Sequence, residues 1–340
     1  MKILGVETSC DETAVAVVED GRRVISNVIA SQVEMHARYG GIVPELASRQ
    51  HMLEMIPTID SVLRQGQLTW EEIDTVAVTN GPGLAGALLV GVNVSKALAF
   101  AKDKPLIGIN HLEGHIYANW LEGRDPEAEV GFPLLCLIAS GGHTDLVMME
   151  GHGEYVLLGR TRDDAAGEAF DKAARVLGLG FPGGPAVQRA SEGAEYQEVL
   201  PRAWLRGTHD FSFSGLKTAI LHKAMDLGIY PQEEGISPDV KIVTELAAAF
   251  QLSVADVMTV KTISAAKKFG ARGIMLGGGV AANSQLRAMF KERSTLPLFI
   301  PSPILCTDNG AMIAGCAHFQ TAVSGPSSWE LDVYPGLQLG

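Results

Sequence analysis

A supersecondary unit that occurs twice constrains this chain more than any other feature. Ile3-Leu4-Gly5-Val6 and Thr13-Ala14-Val15-Ala16-Val17-Val18 flank the short polar loop Glu7-Thr8-Ser9-Cys10-Asp11-Glu12, which predicts a β-hairpin. Leu134-Leu135-Cys136-Leu137-Ile138 and Thr144-Asp145-Leu146-Val147-Met148-Met149 flank Ala139-Ser140-Gly141-Gly142-His143 in the same way. Later in each half comes a strand, a glycine turn and a helix. In the first half these are residues 75–79, Asn80-Gly81-Pro82-Gly83 and residues 84–102. In the second they are residues 273–276, Gly277-Gly278-Gly279 and residues 282–293. The echo is one of pattern, not identity, and it predicts an internal duplication. Strands alternating with helices predict α/β lobes, each a mixed, largely parallel sheet covered by helices.

The 340 residues suit two domains better than one core. The expected first lobe is residues 1–110 plus 310–330, and the second is 111–309 with extra sequence at about 151–240. The polar stretch 122–130, with Pro126, is the expected linker. A C-terminal helix over 309–322 is expected to pack back on the first lobe. The longest apolar run, 84–92, falls short of a membrane span, and an early charge at the N-terminus argues against a signal peptide. Cys10, Cys136, Cys306 and Cys316 form no C-x-x-C pair and read as reduced thiols of a cytoplasmic protein. A net charge of −12 means that any nucleic-acid role needs a local basic patch or a helper subunit.

Several constellations could carry chemistry. The loop Ser140-Gly141-Gly142-His143 can present backbone N–H groups to phosphate, or it is an ordinary tight turn. Gly277-Gly278-Gly279 lets backbone lie against a base or ribose. Asn283 then either reaches the sugar or sits in the first helical turn. His111 and His115, spaced i,i+4, emerge on one helix face as metal ligands or as satisfied histidines. Glu113 lies two positions after His111, so this is not the H-E-x-x-H of zinc proteases. Asp308 is a third candidate ligand or a helix N-cap. Asp11 and Glu12 could orient a nucleophile, a water or a cation beside an anion site, or be solvated turn residues. Asp171 could reach a ribose or substrate hydroxyl, and the turn at Gly183-Gly184 could pass close to a ligand. Arg202, Arg206, His209, Phe211, Phe213 and Lys217 mix cations and rings, as single-strand binders do, but also fit a core strand with solvated flanks.

Taken together, Gly5-Val6-Glu7-Thr8-Ser9-Cys10-Asp11-Glu12-Thr13, His111-Leu112-Glu113-Gly114-His115, Ala139-Ser140-Gly141-Gly142-His143-Thr144, Gly167-Glu168-Ala169-Phe170-Asp171-Lys172 and Gly277-Gly278-Gly279-Val280-Ala281-Ala282-Asn283 resemble the bacterial TsaD family over nearly the whole chain. The resemblance implies an ASKHA fold, shared with actin and hexokinase, with nucleotide and metal between two lobes. It implies transfer of threonylcarbamoyl from threonylcarbamoyl-AMP to the exocyclic amine of adenosine 37 in tRNAs reading codons that begin with A. It implies metal ligands at His111, His115 and Asp308, with Fe(II) favoured and zinc the alternative. Substrate or nucleotide contacts are implied at Ala139, Ser140, Gly141, Gly142, His143, Asp171, Gly184 and Asn283, in a site that ATP or ADP could also occupy. Many relatives carry a carboxylate four positions after Gly184. This chain has Gln188 there, a departure at an expected ribose contact. Asp11 and Glu12 are the expected catalytic carboxylates. Implied partners are tRNA, TsaB and TsaE, with a TsaC-type enzyme supplying the adenylate. The rivals are a metallopeptidase, the family's older description, a small-molecule kinase of the same fold, and a non-catalytic nucleotide-binding scaffold.

Overall fold

The computed structural model describes residues 1–194, 199–231, 239–327 and 329–339; parts of the expected insertion, 195–198 and 232–238, lie outside them. The chain forms two compact units. The first is Met1–Gly131, Met149–Val156 and Pro301–Gly340, and the second is Phe132–Met148 and Leu157–Ile300. From sequence, residues 111–131 and 301–309 were assigned to the second lobe. By packing they lie in the first unit, because the helix His111–Tyr117 is tied to the first strand through a His111–Glu7 hydrogen bond.

In the first unit, β1 (Lys2–Glu7) pairs antiparallel with β2 (Glu12–Glu19), and β2 with β3 (Arg23–Ser31). On its other side β1 runs parallel to β4 (Thr75–Gly81), and β4 parallel to β5 (Leu106–Asn110). The sheet order is therefore β3-β2-β1-β4-β5. Ala14 to Val18 and Val76 to Val78 are fully buried, as expected of strands covered on both faces. The helix Pro44–Gly66 supplies Met55, Ile59 and Val62 to the core formed with Leu4, Val6, Val15 and Val17. The helix Gly310–Ser324 lies against the sheet at Gly5 and Ala16. A Cβ on Gly5 would come within 2.4 Å of the Gly310 carbonyl oxygen, and a Cβ on Gly310 within 2.4 Å of the Ala16 nitrogen. Glycine at both positions is what lets helix and sheet touch backbone to backbone.

Because β1, β4 and β5 are parallel, their C-terminal ends, Glu7, Gly81 and Asn110, fall on one edge of the sheet. Ligand sites of α/β sheets form at such edges. From β5 the chain passes directly into the helix His111–Tyr117, which Asn110 caps by accepting a hydrogen bond from the Leu112 N–H at 2.9 Å.

The strands of the second sheet are β6 (Leu134–Ala139), β7 (Thr144–Gly151), β8 (Glu154–Arg160), β9 (Gly273–Gly277) and β10 (Leu298–Phe299); all lie in the second unit except Met149–Val156, which spans the end of β7 and the start of β8. Read from the β8 edge, their order is β8-β7-β6-β9-β10, with β9 parallel to both β6 and β10. Replacing each of the first five strands by its successor five places on reproduces this order, so the duplication holds at the level of topology. The helix Val240–Lys268 is long and apolar enough to cross a membrane by length and composition, contrary to the expectation of no such segment. It is instead largely buried within the protein, with Phe250, Met258 and Leu246 inaccessible. The other differences concern helix ends. The helix expected over 282–293 is a short 3-10 turn, Gly279–Ala282, followed by Ser284–Arg293, because Asn283 acts as N-cap. The C-terminal helix likewise starts at Gly310, after its cap Asn309.

Candidate metal centre and glycine-lined loops

His111, His115 and Asp308 converge in the first unit, each offering one ligand atom, with all three atoms within 4.8 Å of one another. The Nε2 atoms of His111 and His115 lie 3.5 and 3.2 Å from Asp308 Oδ1, and the two rings meet edge to face at 4.6 Å. The i,i+4 spacing puts both rings on one face of the helix. Asn309, not Asp308, caps the following helix by accepting from the Met312 N–H.

The surroundings of this triad fit a cation. His115 is fully buried, yet neither ring nitrogen completes a hydrogen bond. Buried polar atoms are normally paired, and Nε2, the ring nitrogen beside Asp308, lacks a partner of the kind a metal provides. Burial holds the His115 pKa below its usual value, which favours the neutral, ligating imidazole. His111 donates from Nδ1 to Glu7 Oε2 at 2.9 Å, which turns its Nε2 toward Asp308. Such a carboxylate behind a histidine ligand sets its tautomer and basicity. Burial opposes protonation of His111, but the Glu7 and Asp308 charges outweigh it and lift its pKa to about 9, so a metal bound at its Nε2 would displace a proton there. Two imidazoles and a carboxylate form a donor set suited to Fe(II) or zinc.

Glu7 is the residue that sequence reasoning missed. It is fully buried, accepts from Thr79 Oγ1 at 2.6 Å, and takes the Ser9 backbone N–H as well. Burial opposes its ionisation, yet His111 and Thr79 keep it below the usual carboxylate range. A charged residue ending an otherwise apolar strand was the available signal. Asp11 is buried beside this edge, and Glu12 Oε1 accepts from Ser31 Oγ at 3.1 Å. Burial, followed by the charges of Asp11 and Asp308, pushes Glu12 up to about 10. Glu113 turns away from the triad and accepts from Gln320 Nε2 at 2.8 Å, so it is not placed as a protease base.

In the second unit the glycine-rich segments come together by backbone contact. A Cβ on Gly278 would approach the Ala139 carbonyl oxygen to 2.3 Å, and one on Gly167 the Ser140 carbonyl oxygen to 2.6 Å. Above Gly141, Gly142, Gly184 and Gly279 the space is open. The Ser140 N–H donates to the His143 carbonyl at 2.9 Å, and the His143 N–H to Ser140 Oγ at 3.2 Å, closing the loop. Three expected contact residues have structural partners. Asp171 Oδ1 accepts from the Gly183 N–H at 2.7 Å. Gln188 Oε1 accepts from the Ser284 N–H at 2.8 Å. Asn283 accepts from the Leu286 N–H and donates to Gln251 Oε1 at 2.7 Å.

The sequence profile of tRNA N6-adenosine threonylcarbamoyltransferase, TsaD, matches residues 23–315. The protein of that name from Dehalococcoides mccartyi strain BAV1 is 55% identical over 339 residues, covering 100% of this chain and 99% of that protein. The chain belongs to the TsaD family. The member from Thermomicrobium roseum is 56% identical over 355 residues, covering 100% of this chain and 97% of that protein. Among solved structures, T. kodakarensis HypF superposes with a TM-score of 0.63 at 13% identity, over 95% of this chain and 48% of that one. That likeness is one of fold. As a TsaD-family member the chain is a transferase, and the peptidase and kinase alternatives are not favoured. The family's match spans both histidines, Asp308 and the glycine segments of the second unit.

Proposed function

We infer that this chain transfers a threonylcarbamoyl group from threonylcarbamoyl-AMP to the exocyclic amine of adenosine 37 in tRNAs reading ANN codons. Family membership over the full length carries this reading. The intermediate is a mixed carbamoyl-phosphate anhydride and is already activated, so positioning supplies much of the catalysis. His111, His115 and Asp308 hold one divalent metal, Fe(II) in preference to zinc, which when bound supplies Lewis-acid polarisation of a substrate oxygen. Glu7 fixes the His111 tautomer. The Ala139–His143 loop, Gly184 and the open face of Gly279 receive the adenylate, with Asp171, Gln188 and Asn283 setting the shape of that surface. Asp11 or Glu12 orients the attacking amine, and whichever of the two carboxylates is ionised takes its proton as the N–C bond forms and AMP leaves.

TsaB and TsaE are the proposed protein partners, with a TsaC-type enzyme supplying the adenylate. The exposed apolar side chains Met52, Leu53 and Ile56 on the helix Pro44–Gly66 support docking of a protein partner. The four free cysteines support a cytoplasmic location. Incubation with threonylcarbamoyl-AMP, TsaB, TsaE and unmodified tRNA, followed by mass spectrometry of the nucleosides, should yield modified adenosine. No modified nucleoside would refute the reading. In the same assay Glu12→Gln should depress transfer while adenylate binding is kept. Equal loss of binding would remove Glu12 from the chemistry.

A further inference from the structure

We propose that a basic groove in the second unit, between residues 204–209 and the C-terminal half of the helix Val240–Lys268, holds the sugar-phosphate backbone of the tRNA substrate. This rests on the transferase reading above. The groove has a volume of about 550 Å³, and Trp204, Arg206, His209, Lys261 and Lys268 are among its lining residues. Among the described residues no carboxylate lines it. In a chain of net charge −12 a concentration of cations without acidic partners is an exception, and it is the local patch that RNA binding requires.

The groove is built on a stapled loop. Lys261 is buried, and its Nζ donates to the carbonyl oxygens of Trp204 at 2.5 Å and Thr208 at 3.0 Å. Those bonds pin the 204–208 segment to the helix, while the ammonium charge stays beneath the groove. Arg206 is exposed, and its guanidinium makes no ion pair or hydrogen bond among the described residues. Lys268 Nζ faces His209 Nε2 at 3.4 Å and the Phe269 ring at 5.2 Å. The adjoining carboxylate, Asp210, is engaged by Arg162 at 2.8 Å. Burial and the charges of Lys268 and Lys261 together hold the His209 pKa below its usual value, as a local positive field requires.

Phosphodiesters are matched by the Arg206 fork and the Lys268 ammonium. The half-buried Trp204 ring adds a face on which an unpaired base can stack. The structure thereby divides the cation-and-ring segment noted in the sequence. Phe211 and Phe213 are core, Arg202 is bound to Asp256 and Lys217 to Asp164. Arg206 and His209 face the groove.

The test is equilibrium binding of unmodified tRNA to the full chain across a salt titration, for the wild type, R206E/K268E and the neutral R206Q/K268Q. Affinity of the charge-reversal variant should fall on the order of tenfold or more, and the slope of log affinity against log salt should become shallower by about one to two. The neutral variant should fall between, with thermal midpoint and metal content unchanged in both. Undiminished tRNA affinity in R206E/K268E overturns the groove, including the case in which it receives an acidic protein instead. A wild-type chain that binds no tRNA at low salt also overturns it. Failure of the transferase reading has a separate signature, the absence of modified adenosine in the wild-type assay.

Discussion

Glu7 sets the direction of the His111 imidazole, and a single proton position decides whether that ring can serve as a ligand. The carboxylate holds Nδ1–H and leaves Nε2 toward Asp308. Glu7→Gln keeps the shape but removes the charge, so metal affinity should fall about 10–100-fold, the usual cost of disturbing a carboxylate behind a histidine ligand. Calorimetric metal titration of the purified variant checks this, and an affinity equal to that of the wild type would exclude the orienting role. The same scale explains what sequence could and could not show. His111 and His115 were legible from their spacing. Glu7 was not, because a carboxylate at the end of a strand looks like the first residue of a polar turn. Asp308 looked like a helix cap until its neighbour Asn309 was seen to perform that task.

At the scale of elements, the helix His111–Tyr117 has seven residues. Such a helix is marginal in isolation, so its place depends on packing and not on propensity. The helix Gly310–Ser324 reaches the sheet through Gly5 and Gly310, and Asp308 stands two residues before it. A side chain at 310 would force this helix off the strands. Gly310→Val should cost about 1–3 kcal/mol or more by overpacking and should weaken metal binding as Asp308 moves away from the histidines. Thermal melting and metal titration of one preparation read both effects. A variant that melts like the wild type would show that the helix does not depend on this contact. The expected hairpins were found with strands slightly longer than the apolar runs, Glu7 and Glu12 ending up in the strands, because two apolar runs around a short polar loop leave few alternatives. Helix ends were displaced by a few residues, since the asparagine caps at 283 and 309 act through side-chain hydrogen bonds that hydrophobic pattern does not display.

At the scale of the whole molecule, the two sheets share one strand order, and each brings its functional segments to the ends of parallel strands. A metal that binds only the folded first unit stabilises it by mass action, about 2.7 kcal/mol when free metal exceeds the dissociation constant a hundredfold. Chelation should therefore lower the melting temperature by several degrees, and added Fe(II) or zinc should restore it. The His115→Ala variant should melt alike with and without chelator. A chelator effect that survives in that variant would place the stabilising metal elsewhere.

The order of apolar runs, glycine turns and helices determined the α/β class and the duplication, because those patterns are local and repeat along the chain. It also carried the histidine spacing and the family motifs. Only the tertiary structure decided that residue 308 meets residues 111 and 115, that Glu7 backs them, and that Arg206 and Lys268 share one groove. Those are contacts between residues far apart in the chain, set by helix-on-sheet and loop-on-helix packing, and no local periodicity encodes them.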